Sequence, residues 1–127
     1  MSNAQQAAVL DHALVAVGGA WDVLRIPDAR GLPLFAWLSA DPEDRQRLGP
    51  VVHSRRSAVT YWLIPTGTVP EAWPADCRLL SRGSWVSLPS YGLDDRSARW
   101  LHLPDDDTQL TGATWLAAAL DTTRSTP

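Results

Sequence analysis

The spacing of apolar and polar residues changes period several times along the chain. In QQAAVLDHALVAV, residues 5–17, Leu10, Leu14 and Val17 recur at helical spacing and Gly18-Gly19 supplies a stop, which predicts a helix. AWDVLRIP then reads as a strand ended by Pro27, with Asp22 and Arg25 set among Trp21, Val23, Leu24 and Ile26. Pro33 suits the first turn of a short helix carrying Leu34, Phe35, Trp37 and Leu38, and Asp41-Pro42 breaks it. The charged run 41–47 reads as a solvated loop or helical turn.

Strand patterns dominate the second half. Val51-Val52 and 58–64 predict a hairpin turning at 54–57. In its second strand Val59, Tyr61 and Leu63 fall on one face, and Thr60, Trp62 and Ile64 on the other. Both faces are largely apolar, as expected of a central strand. The segment 65–76 is a Pro-rich connection without periodicity. CRLLSRGSWVSLPS predicts a second hairpin turning at Arg82-Gly83, with Trp85 and Ser87 on one side and Val86 and Leu88 on the other. RWLHL is a last short strand, with Trp85 and Trp100 expected to pack the sheet. TGATWLAAALDTT is a closing helix with Thr111 as its N-cap. The resulting fold class is α+β: a single small domain, mainly antiparallel sheet with helices on one face. The domain is expected over 5–121, after an expression scar at 1–4 and before a flexible tail at 122–127.

Composition narrows the function classes. The 127 residues include 45% hydrophobic and 20% charged side chains, a globular balance, with net charge -3. That charge does not advertise a polyanion or a membrane surface as partner. Cys77 is the single cysteine, which excludes an internal disulfide and fits a reducing, cytoplasmic setting. No apolar run approaches membrane-spanning length, and the N-terminus lacks a signal-peptide pattern. Every basic side chain is Arg, which points first to GC-rich coding bias but also supplies planar bidentate donors.

Chemical motifs are sparse. No phosphate loop, dinucleotide fingerprint or nucleophile elbow occurs. His12, His53, His102 and Cys77 lack metal-ligand spacing, and Asp105-Asp106-Asp107 reads as a solvated turn. No metal site, catalytic residue or cofactor is assigned. Arg55-Arg56 at a hairpin tip is either a solvated turn or a phosphate contact. Arg82 beside Gly83 is a similar case. With Tyr61 and Trp62, these arginines form the candidate ligand-binding set: Arg55, Arg56, Tyr61, Trp62 and Arg82.

Two stretches, VTYWLIPTG at 59–67 and RGSWVSLPSYGLDDRSARWLHLP at 82–104, resemble the bifunctional DNA primase/polymerase N-terminal domain of the archaeo-eukaryotic primase superfamily. The chain is most similar to small, degenerate actinobacterial members. The resemblance implies a sheet that supports two catalytic metals held by an Asp-x-Asp pair, with a nucleotide-binding His. Here no Asp-x-Asp lies between Trp21 and Val52, and Val59 stands where the family has that His. An isopropyl group can neither hydrogen-bond a phosphate nor carry charge. The expectation is therefore a catalytically degenerate domain that acts as a binding or interaction module for nucleotide, nucleic acid or protein. Two alternatives stay open. One is a small enzyme with a pocket beside the 65–76 connection, using His53, His102 or Asp76. The other is a homodimer or partner protein anchored by exposed tryptophans such as Trp73.

Overall fold

The computed structural model describes residues 12–67, 73–89, 98–106 and 108–125. In chain order these are β1 (His12–Ala16), β2 (Asp22–Pro27), α1 (Asp28–Ala40), α2 (Pro42–Arg45), β3 (Val51–Ser54), β4 (Val59–Ile64), β5 (Arg78–Leu80), β6 (Trp85–Pro89), β7 (Ala98–His102) and α3 (Ala113–Ser125). Five strands form an antiparallel sheet in the order β5-β2-β4-β3-β7, and β1 and β6 pair antiparallel as a separate ribbon. The fold is α+β.

The sheet is apolar on both faces because both are covered. Leu24, Ile26, Val51, Trp62 and Ile64 pack beneath Leu34 and Leu38 of α1 and Leu116 and Leu120 of α3. Val23, Val52 and Leu63 pack against Val86 and Leu88 of the ribbon. Each large aliphatic side chain taken fully from water contributes about 1.5–3 kcal/mol. The strand β4 is central, as its two apolar faces predicted.

Several expectations are corrected. Residues 12–16 of the predicted 5–17 helix form a strand, and residues 5–11 lie outside the described residues. Val15 and Val17, two apart, both pack on the second cluster, a spacing that suits a strand. Pairing with β6 overrides the local helical preference. The helix expected from Pro33 starts at Asp28, and Pro33 lies inside it. Gly31 explains part of that early start: a Cβ there would collide with Thr60 Oγ1, so glycine lets the first turn sit on the sheet.

The hairpin predicted over 77–90 does not pair with itself. Ser84 N–H donates to Ser81 O at 3.0 Å, closing a turn, and Gly83 has φ +100°. That turn carries the chain from β5 in the main sheet to β6 in the ribbon. Trp85 does not pack the sheet; it is 59% exposed. Trp100 does pack on the ribbon side, and its Nε1–H donates to Pro89 O at 2.9 Å. Thr111 is not an N-cap either. Its hydroxyl accepts from Gly49 N–H at 2.9 Å, tying the lead-in of α3 to the start of β3. No described helix is long and apolar enough to cross a membrane.

Candidate functional site

The register defines two ends of the main sheet. Pro27, Val59, Ser54 and Ala98 mark one; Asp22, Ile64, Val51 and His102 mark the other. Charge is distributed unevenly between them. Arg25, Arg30, Arg55, Arg56, Arg78 and Arg99 lie toward the first end, together with Asp28 and Asp76. Asp22, Asp41, Glu43, Asp44, Asp105 and Asp106 lie toward the second, with Arg45, Arg47 and Arg82.

The carboxylates of Asp28 and Asp76 are already engaged. Asp76 Oδ2 accepts from Arg30 Nε at 3.0 Å. Asp28 Oδ2 lies 3.0 Å from His53 Nε2, an N–H that donates to it, while Asp28 Oδ1 and His53 Nδ1 are enclosed without a partner. Arg55, Arg56, Arg78 and Arg99 are exposed, Arg25 is half-buried, and none of them ion-pairs among the described residues. Pairing sets Arg78 opposite Arg25, and Arg25 opposite Tyr61, so the three side chains form a row on the ribbon-side face. Like charges directly opposite across strands repel, a cost that an anion between them would offset.

The five candidate ligand residues therefore separate. Arg55 and Arg56 occupy the exposed turn at the basic end. Tyr61 is half-buried beside Arg25. Trp62 is 0% exposed on the helix-covered face, its Nε1–H donating to Thr60 Oγ1 at 2.8 Å, so no ligand can stack on it. Arg82 stands at the opposite end, where its backbone presses on Gly18. Sequence reasoning missed Arg25 and Arg99, because only the strand register shows that they share an end with Arg55, Arg56 and Arg78.

The proposed acid-base groups His53, His102 and Asp76 are not assembled. The first and last are fastened to separate residues of the first turn of α1. His102 lines an open groove of about 850 Å³ with Arg45, Gln46, Asp105, Asp106 and Gln109. Its Nδ1–H donates to Gly49 O at 3.1 Å. Asp105 and Asp106 are exposed, as a solvated turn requires, and Asp107 lies outside the described residues. Thr108 donates to Asp106 Oδ1 from its hydroxyl and its backbone, which holds that carboxyl below its ordinary range. Among the described residues no group of three or more His, Cys, Asp or Glu is disposed to hold a metal.

Trp73 is partly buried against the helix-side core, so it is not the exposed anchor expected; Trp37 and Trp85 are the exposed tryptophans, at 50% and 59%. Cys77 is half-buried, and burial together with the neighbouring Asp76 charge pushes its thiol up to about 12. Only a thiolate attacks alkylating reagents. Iodoacetamide at pH 8 should therefore modify native Cys77 at least roughly a hundredfold more slowly than unfolded Cys77. Mass spectrometry with and without urea checks this; equal rates would contradict it.

Compared with known proteins, the chain matches no family model, no curated protein and no solved structure at a significant level.

Proposed function

We propose that this domain is a non-catalytic module that binds single-stranded nucleic acid through the basic end of its sheet. The observation that carries this reading is the gathering of Arg25, Arg55, Arg56, Arg78 and Arg99 at one end, none ion-paired among the described residues. The net charge of -3 is an average over two unlike ends, and a phosphodiester backbone responds to the local one. Guanidinium groups match phosphate oxygens in bidentate geometry. The row Arg78-Arg25-Tyr61 adds a ring on which one base can stack, worth about 1–3 kcal/mol. The arginines are spread over strands and a turn rather than set around a closed pocket, which favours an extended polyanion over a free nucleotide. The resemblance to the primase/polymerase domain points to the same partner, and the loss of its Asp-x-Asp and His removes the chemistry while leaving the partner.

Fluorescence anisotropy of a labelled oligothymidylate tests this. If all five arginines meet phosphates, log K should fall against log salt with a slope of about -3.5, roughly a hundredfold loss between 50 and 200 mM salt. R55A/R56A should reduce the slope by about 1.4. No anisotropy rise at 50 mM salt, or an unchanged slope in the double variant, would overturn the reading.

A further inference from the structure

The opposite end of the sheet holds a second, chemically distinct pocket. It has a volume of about 460 Å³ and is lined by Gly18, Asp22, Thr66, Leu79, Ser81 and Arg82, with Gly67 at its edge. Four segments meet there: the turn between β1 and β2, the first residue of β2, the chain leaving β4, and the chain leaving β5. The turn is tight. Gly18 has φ +99°, its N–H donates to Trp21 O at 2.8 Å, and a Cβ on it would lie 2.5 Å from the Arg82 backbone nitrogen. Glycine at 18 is what allows the Arg82 strand end to close against the β1–β2 turn and wall the pocket.

Asp22 is the unusual member. It is 3% exposed and lines the pocket, yet among the described residues its carboxylate makes no hydrogen bond or ion pair. Alternation along β2 puts it on the helix-side face with Leu24 and Ile26. A carboxylate on so buried a residue is stabilised when a donor or cation meets it. The cation on the same pocket, Arg82, is exposed and does not reach it: no Asp22–Arg82 ion pair forms. Opposite charges thus stand apart on one open pocket, Asp22 buried and Arg82 exposed. The Thr66 and Ser81 hydroxyls add polar groups, and Leu79 adds an apolar wall.

We propose that this pocket binds a small zwitterion of the α-amino-acid class, its ammonium on Asp22, its carboxylate on Arg82 and its apolar side chain toward Leu79. A pure cation would be repelled by Arg82, and a pure anion by Asp22. The volume is within the range of small-molecule sites. This site is separate from the nucleic-acid surface and does not depend on it.

The test titrates ¹⁵N-labelled protein with leucine, leucinamide, which lacks the carboxylate, and 4-methylpentanoate, which lacks the ammonium. Leucine should give saturable shifts at Gly18, Asp22, Thr66 and Ser81, and each truncated analogue should bind at least about tenfold more weakly. D22N is isosteric and should weaken leucine binding by a similar factor. R82A, at an exposed side chain, gives the same readout without touching the core. R55A/R56A should leave leucine binding unchanged. The proposal fails if leucine gives no saturable shift at 20 mM, if the analogues bind as well as leucine, or if a folded D22N or R82A binds leucine unchanged.

Discussion

Trp62→Ala should destabilise the protein by about 4 kcal/mol in urea unfolding, a large part of the roughly 5–15 kcal/mol that a domain of this kind holds. The side chain is 0% exposed and sits between the central strand and α1, with Phe35 edge-on at a centroid distance of 6.2 Å. Removing it leaves a cavity lined by Leu and Ile. It also leaves Thr60 Oγ1 without the Trp62 Nε1–H, although that hydroxyl still donates to Ile26 O at 3.2 Å. Trp62→Phe separates these terms. The ring is kept, the hydrogen bond is lost, and the expected cost is about 1–2 kcal/mol. Because Trp62 lies under the helices, W62F should bind oligothymidylate within twofold of wild type. A W62F that is fully stable yet no longer binds DNA would return Trp62 to the ligand site and sink the assignment of that ring to the core.

Trp62 also illustrates how far the sequence could be read. Alternation over Val59–Ile64 separates the two faces of β4 correctly, and apolar residues on both identify a central strand. Nothing in that alternation says which face meets helices and which meets a ribbon, since both need apolar side chains. Trp62 and Tyr61 therefore look equally available until α1 is placed. The ribbon was hidden for a different reason. β1 pairs with β6, far along the chain, and that pairing alone makes a strand of an Ala- and Leu-rich segment with helical spacing. The turn at Gly83 was legible from its glycine, but the partner of each flanking strand was not, because a turn residue specifies a reversal and not a sheet.

The candidate sites followed the same division. Arg55 and Arg56 were visible as neighbours in sequence. Arg25, Arg78 and Arg99 join them only through the cross-strand pairs Arg25↔Tyr61, Arg25↔Arg78 and His53↔Arg99. Asp22 gave no signal at all. In the sequence it is a polar residue at a strand start, where solvent exposure is ordinary; its burial arises from four segments converging over it.

Gly49→Ala should cost about 3–4 kcal/mol, far above the small effect of adding a methyl group to an open loop. Gly49 needs no unusual φ, so backbone strain is not the cause. The obstacle is space. A Cβ would lie 2.6 Å from Leu110 Cα and 2.6 Å from Thr111 N, both backbone atoms that no rotamer change can move aside. Relief requires the 110–111 segment to withdraw from β3. That withdrawal pulls on two hydrogen bonds at once: Gly49 N–H to Thr111 Oγ1 at 2.9 Å and Thr111 N–H to Leu63 O at 3.1 Å. Thr111→Ala isolates the first of these and should cost only about 1–2 kcal/mol. Urea unfolding of both variants provides the comparison. If G49A costs no more than T111A, the close approach of 110–111 to Gly49 is not a packing constraint, and the bond to Thr111 alone holds α3 against the start of β3.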